Sequence, residues 1–354
     1  MTISAGMVKE LRELSGAGMM DCKKALVATE GDIDKAMDHL REKGLGKAAK
    51  KSDRLASEGL VNVVISDDFK TATISEINSE TDFVAQNDGF INFTKSVTLH
   101  LQTTDVATNE ELLKSEINGV GFEEYFGTEV SKIGENVVVR RFATIKASEC
   151  GVVNGYGHSN GRVGVVIGAI CDSEKTAEGV KDLLKNISMH ASAMKPTVLS
   201  YTDLDPAFIE KENIAIKADI EKENEELRRL GKHEKRIPEF VSMLQLTDEV
   251  MAKAKIDMEA ELKASGKPEK IWDKIIPGQI DRFIADNTQL DQQLALLSQF
   301  FVMDDKKTIE QVVADKAKEL DGTIKLVDYI RYDLGEGLEK KVDDFAAEVE
   351  AQLK

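Results

Sequence analysis

The chain has 354 residues, is 42% hydrophobic and 31% charged, and carries a formal net charge of −17. That length admits more than one domain, and the composition fits a globular chain rather than a disordered one. A surface this acidic repels nucleic acid over most of its extent and favours partners with basic or neutral patches.

The first predicted elements are three short helices. "SAGMVKELRELSG" sets Met7, Leu11 and Leu14 on one face and stops at Ser15-Gly16. "GMMDCKKALVATEG" repeats the pattern through Met19, Cys22, Ala25 and Leu26, and Gly31 ends it. In "GDIDKAMDHLREKG", Asp32 is the expected N-cap, Ile33, Ala36, Met37 and Leu40 form the stripe, and Gly44 is the expected stop. Together they predict a miniature bundle, too small to be very stable alone. "REKGLGKAAKKSDR" follows, with Arg41, Lys43, Lys47, Lys50, Lys51 and Arg54 outnumbering Glu42 and Asp53. It reads as a linker or exposed helix; a solvated connector is favoured over a patch for RNA or an acidic protein.

From Glu58 the period changes from helical to alternating. "GLVNVVI" and "TATISEI", joined by "SDDFK", predict a β-hairpin. Next comes "NSETDFVAQND", a polar, turn-forming stretch that carries Phe83. An aromatic in such a place either tucks under its own loop or is displayed to a partner, and the pattern leaves both readings open. "GFINFTKSVTLHLQT" predicts an amphipathic helix and "VVVRRFATIKA" a strand. "GVVNGYGHSNGRVGVVIGAI" and "GVKDLLKNISMHASAMKP" then repeat the hairpin-then-helix order, suggesting two related α+β subdomains. From Pro206 to Gly266 the chain becomes highly charged. One thin stripe (Ile209, Ile216, Ile220, Leu227) and a second (Leu244, Met251, Ala254, Met258, Leu262), separated at Pro238, predict an antiparallel helical hairpin projecting from the body. "IWDKIIPGQIDRFI" reads as a helix interrupted at Pro277. "TIEQVVADKAKEL" is a helix, "TIKLVDYIRYDL" a strand, and "DDFAAEVEAQL" a final helix.

Chemistry is sparse along this chain. "GYGHSNGRVG" has Asn160 where a dinucleotide fingerprint needs glycine, and neither GxxxxGK[ST] nor GxSxG occurs. The five histidines (His39, His100, His158, His190, His233) lack metal-ligand spacing; His39, His100 and His190 lie on helix patterns, and His158 sits in a hairpin turn. Neither a cofactor nor a metal is expected, and the sequence leans against an enzyme. Aromatics make up 5% of the chain and Trp272 is the sole tryptophan, so no base-stacking surface is expected. Cys22, Cys150 and Cys171 are odd in number and far apart, which predicts reduced thiols in a cytoplasmic protein. The start lacks the regions of a signal peptide, and the longest apolar run, "VGVVIGAI", is too short to span a bilayer. What remains is an acidic scaffold displaying Met19, Met20 and Phe83. For the two methionines the competing reading is a bundle core, in which one of them faces inward.

Five stretches, "VKELRELSGAGMMDCKKALVATEGDIDKAM", "EINSETDFVAQND", "KIGENVVVRR", "FFVMD" and "DLGEGLEKKVDDFAAEV", together closely resemble the bacterial translation elongation factor Ts family, in order along nearly the whole chain. The resemblance implies an α+β protein. Its parts are a ubiquitin-associated-like helical domain and linker (1–55), a core N-subdomain (56–148), and a core C-subdomain in two pieces (149–205 and 267–331). A protruding antiparallel coiled-coil hairpin (206–266) and a C-terminal helical module (332–354) complete it. It also implies guanine nucleotide exchange on the GTPase elongation factor Tu, without direct contact to nucleic acid or membrane; a homodimer through the hairpin or core stays open. By resemblance, Arg12, Met19, Met20 and Lys23 touch a helix of the partner's GTPase domain. Asp82 and Phe83 are the invading pair of a loop that includes Thr81 and Val84. Ile133, Gly134, His158, Val302 and Met303 are further contacts. Lys51 matches a basic linker contact, which returns weight to the functional reading of that patch. One departure stands out: the arms between Pro206 and Gly266 are longer than the usual hairpin, and the residues from Asn287 to Phe300 differ from the usual pattern. Two readings from other classes are a helical adaptor that leaves nucleotide state unchanged and an RNA-associated factor using the Lys47 to Arg54 patch.

Overall fold

A computed structural model describes residues 3–49, 51–104 and 106–338 of the chain. The helix expected at "DDFAAEVEAQL", most of the 332–354 module, and Lys50 of the basic stretch lie outside the described residues. The architecture is α+β. Its helices are α1 (Ala5–Ser15), α2 (Met19–Ala28), α3 (Ile33–Ala49), α4 (Asp82–Ala85), α5 (Asp88–Thr103), α6 (Asn109–Lys114), α7 (Phe122–Ile133), α8 (Glu174–Met194), α9 (Pro206–Arg229), α10 (Asp248–Ala264), α11 (Trp272–Asp286), α12 (Gln289–Leu294) and α13 (Ile309–Leu320). The strands are β1 (Glu58–Ile65), β2 (Thr71–Ser79), β3 (Glu116–Ile117), β4 (Val120–Gly121), β5 (Val137–Lys146), β6 (Gly151–Gly157), β7 (Val163–Cys171), β8 (Phe300–Phe301), β9 (Asp304–Thr308) and β10 (Ile324–Asp333). Two compact units result, one of residues 1–168 and 330–354, the other of residues 169–329, so the chain crosses between them within β7 and β10.

In the first unit α1, α2 and α3 bury Val8, Leu11, Cys22, Ala25, Leu26 and Ala36 against one another. The competing reading, in which Met19 or Met20 enters this core, is overturned. Both are exposed, 59% and 61%, as is Leu14, because Cys22, Ala25 and Leu26 alone supply the inward face of α2. The ends of α1 follow the sequence signals: Ser4 Oγ accepts the Met7 N–H, and Gly16 closes the helix with a left-handed backbone at φ 68°. Gly44, by contrast, does not stop α3, which continues to Ala49. A β-carbon at Gly44 would lie 3.5 Å from the Gly127 carbonyl oxygen and from Ser131 Cβ, so this glycine lets α3 press closely onto α7.

The first sheet is antiparallel in the order β1-β2-β5, covered by α5 over a core that includes Ile77, Phe90, Phe93, Val97, Phe122 and Val139. The register of β2 on β5 slips at Glu76, where Glu76 pairs with Arg141 and Ile77 already pairs with Val139. Adjacent strand residues ordinarily point to opposite faces; the bulge lets both Arg140 and Arg141 reach one carboxylate. Arg140 Nη1 lies 2.8 Å from Glu76 Oε1 and Arg141 Nε 2.6 Å from Oε2, while the Gly335 N–H donates to Oε1 at 2.9 Å. Burial raises the Glu76 pKa, but the Gly335 amide and the two guanidinium groups outweigh it, and the carboxyl is held below its ordinary value. Arg141 also lies 4.2 Å over the Tyr332 ring and donates to the Asp333 carbonyl, so this cluster fastens the 332–336 segment to the first sheet. The second sheet runs β10-β7-β6. Each sheet is a sequential hairpin whose second strand also pairs with a third strand arriving after a helix.

In the second unit α8 packs on α13. The charged stretch departs from the expected hairpin. The helix contacting α10 extensively is α11, not α9, and α10 turns its Met251, Ala254, Met258 and Leu262 face inward. Ile209 of α9 joins Leu204, Val241 and Leu290 in a separate cluster. The reason is the segment from Gly231 to Phe240, which returns alongside α9 as an extended strap. Asn224 donates to the Lys235 carbonyl at 2.8 Å and accepts the Lys235 N–H at 2.7 Å, and Lys217 Nζ donates to the Glu239 carbonyl at 2.8 Å. The far end of the strap is received by the residues after α11: Asn287 Oδ1 accepts the Glu239 and Phe240 amides, and Asp291 Oδ2 accepts the Met243 amide at 2.6 Å. The two stretches singled out in the sequence, 206–266 and 287–300, thus meet as one structural element and its seat. Pro277 does not interrupt α11, which runs unbroken through it. The proline sits exposed in the second turn, where it removes one backbone hydrogen bond without breaking the helix.

Candidate functional site

Thr81 begins the site. Its extended backbone (φ −127°, ψ 156°) caps the short helix α4, and its Oγ1 accepts the Val84 N–H at 3.4 Å. One helical turn then sorts the next residues by direction. Val84 turns inward against the Phe90–Phe122 core, while Asp82 is exposed and Phe83 is 80% exposed, more than any other large apolar residue described. The reading in which Phe83 tucks under its own loop is thus excluded. A ring left in water adds nothing to folding, and the roughly 1.5–3 kcal/mol that its burial would supply stays available to a partner.

Two carboxylates hold this turn, and sequence reasoning singled out neither. Glu135 accepts from Thr81 twice, from the backbone N–H at 3.0 Å and from the hydroxyl at 2.6 Å. Glu80 answers in the opposite direction, accepting the Asn136 N–H at 2.6 Å and pairing with Arg54 at 3.4 Å. Asn136, 3% exposed, donates its side-chain amide to the Arg54 carbonyl at 2.7 Å and the Ser52 carbonyl at 3.4 Å, beside Lys51. Each carboxylate therefore caps the backbone of the other's motif. Ile133 and Gly134 precede this clamp; Ile133 packs on the same core as Val84, and Gly134 ends α7 with a left-handed φ of 88°. The signal that finds Glu135 is its place in "IGEN", next to two residues already chosen.

The other expected contacts fall in three places. Arg12 and Lys23 are exposed near the α1–α2 corner that carries Met19 and Met20. His158 is exposed in the β6–β7 turn, with Nδ1 3.3 Å from Ser159 Oγ, and its N–H donates to Val163. Val302 and Met303 belong to the other compact unit, at the two-residue tip between β8 and β9, exposed 52% and 53%. That tip is braced by His190. Its Nδ1 accepts the Val302 N–H at 3.3 Å, so the proton sits on Nε2 and is donated to Gln299 Oε1 at 3.0 Å. Burial holds the His190 pKa below the ordinary imidazole value, against a smaller opposing effect from Gln299. His100 is likewise a packed histidine, stacked on Phe122 and bonded to Ser115. Among the described residues no group of three or more His, Cys, Asp or Glu could hold a metal ion, and no helix is long and apolar enough to cross a membrane.

Braced turns that display apolar side chains at Phe83 and at Val302–Met303 are candidate protein-binding surfaces. The family model described as Elongation factor TS matches residues 80–336. The chain is 64% identical to the "Elongation factor Ts" of Campylobacter fetus subsp. fetus over 353 residues, covering 100% of both. It is 65% identical to that of Campylobacter curvus over 353 residues, again covering 100% of both, and 56% identical to that of Helicobacter pylori over 352 residues, 99% of each. The chain belongs to the elongation factor Ts family, the exchange factors of translation elongation in protein biosynthesis.

Proposed function

We propose that the chain releases GDP from the translational GTPase elongation factor Tu by inserting Phe83 between helices of the GTPase domain beside its magnesium and phosphate site. The observation that carries the reading is Phe83 itself, 80% exposed on a turn whose backbone is held from both sides. A displaced helix there weakens nucleotide binding, and by linkage bound GDP weakens binding of the factor by the same ratio. Burying one phenylalanine supplies about 1.5–3 kcal/mol, so the wedge does not hold the complex alone. The docking energy comes from Arg12, Met19, Met20 and Lys23 on the 1–55 domain, from Lys51, from Ile133, Gly134 and His158, and from Val302 and Met303. Asp82 meets a polar group at the rim of the Phe83 pocket. The factor performs no bond-making step of its own, and no cofactor enters the scheme.

Stopped-flow release of a fluorescent GDP at saturating factor tests this. Phe83→Ala retains most of the affinity for nucleotide-free elongation factor Tu, while the maximal release rate falls by about one to two powers of ten. An unchanged maximal rate removes Phe83 from the mechanism.

A further inference from the structure

The exposed aromatic acts only if the turn beneath it is stiff, and the structure shows what stiffens it. A lone apolar side chain on a loose loop loses its binding energy to the entropy of ordering that loop. Glu135 and Glu80 lie 55 positions apart, yet each accepts hydrogen bonds from the backbone next to the other. Glu135 takes both donors of Thr81, at 3.0 and 2.6 Å, and Glu80 takes the Asn136 N–H at 2.6 Å. Ionised acceptors make such bonds stronger than neutral ones. Ser79 Oγ adds a bond to the Thr81 carbonyl at 3.0 Å. On the other side, Arg54 pairs with Glu80, and Asn136 holds the carbonyls of Ser52 and Arg54. Val84, packed on the core, fixes the inward side of the turn.

The geometry points to Glu135 and Glu80 as positioning residues for exchange: a reciprocal clamp that keeps Phe83 aimed outward and ties its turn to the linker at residues 52–54. Neither carboxylate needs to touch the partner. Their effect is on how much of the binding energy becomes displacement of the partner's helix, and so on the maximal release rate rather than on docking. The inference rests on the Phe83 reading given above.

The test measures release of fluorescent GDP from purified elongation factor Tu across factor concentration, for the full chain and for Glu135→Ala, Glu135→Gln, Thr81→Val and Phe83→Ala. Glu135→Ala is expected to lower the maximal rate at least about ten-fold, the equivalent of one lost charge-assisted bond, with half-saturating concentration changed by less than about three-fold. Glu135→Gln keeps a carbonyl oxygen that accepts one of the two Thr81 donors, so it recovers part of the rate. Thr81→Val keeps the backbone donor, though it also removes the hydroxyl that caps α4, and falls between the parent and Glu135→Ala. Amide exchange of residues 81–84 accelerates in Glu135→Ala while β2 and β5 stay protected. An unchanged maximal rate for Glu135→Ala and Thr81→Val, with Phe83→Ala impaired, overturns the clamp and leaves the wedge standing. A shift confined to half-saturation makes Glu135 a docking residue and also overturns it. If Phe83→Ala matches the parent, the wedge reading has failed instead, and the clamp as a device for exchange falls with it.

Discussion

Phe83 of the first unit and the Val302–Met303 tip of the second are both apolar side chains carried on tight turns, but they are braced by opposite chemistry. The Phe83 turn is held by carboxylates accepting from backbone and hydroxyl donors, on partly exposed ground. The tip is held by a neutral imidazole with no exposed surface, relayed through a buried glutamine to the Gln293 carbonyl. The first brace can give way without opening a core, whereas the second is part of one. The difference teaches that an apolar side chain can be displayed on a turn held by exposed charge-assisted bonds or as an outgrowth of ordinary packing; on the proposed mechanism the first kind is the wedge and the second a contact.

Removing His190 gives the largest expected effect. His190→Ala leaves a cavity and strands the Val302 N–H and the Gln299 oxygen, costing about 2–4 kcal/mol in urea unfolding. Phe83→Ala in the same experiment changes stability by less than about 0.5 kcal/mol, since the ring is already in water. Equal losses from the two variants would erase the contrast. Acidification comes next. Free histidine titrates near pH 6.5, and His190 is held lower when folded. The folded chain therefore binds fewer protons than the unfolded one just below that pH. The stabilisation is present in full above pH 6.5 and is lost as pH falls toward the folded value, by up to about 1.4 kcal/mol per pH unit. Burial also pushes His100 of the first unit down, so the His190 share is read as the difference between the parent and His190→Gln. A pH dependence identical in both would remove the imidazole from the brace. The smallest effect on exchange is expected at the tip itself. Met303→Ala weakens binding to nucleotide-free elongation factor Tu by less than about 1.5 kcal/mol and leaves the maximal GDP release rate unchanged. A rate loss as large as that of Phe83→Ala would mean that the tip, too, drives exchange.

Much of this molecule was legible residue by residue. Asp32 caps α3 by accepting the Lys35 amide, as expected; the first hairpin falls where β-branched, partly alternating runs predict it, and the second where its apolar run and its likeness to the first place it. The errors have identifiable causes. Gly44 looked like a helix stop because nothing near it in sequence announces α7, against which its missing side chain matters. Met19 looked like a core residue because a helical stripe has no outer limit until a second helix covers it. The expected pairing of α9 with α10 assumed that two apolar stripes seek each other, but Asn224 offers a donor and an acceptor to a returning backbone, and the strap takes the place.

Capping, alternation and helical periodicity act between residues within four positions of one another, so they were determined by the sequence alone. So was the order of short, distinctive motifs by which the family is recognised. Tertiary structure decided what those motifs do to each other. Glu135 reaches Thr81 across 54 positions, Arg140 reaches Glu76 across 64, and His190 reaches Val302 across 112. Each of these bonds depends on backbone geometry set by a sheet register, a bulge or a hairpin, and leaves no local imprint on residue choice. Phe83 was visible in the sequence as an oddity, but its exposure was not, because exposure is the absence of a neighbour, and which neighbours arrive is known only once the chain has folded.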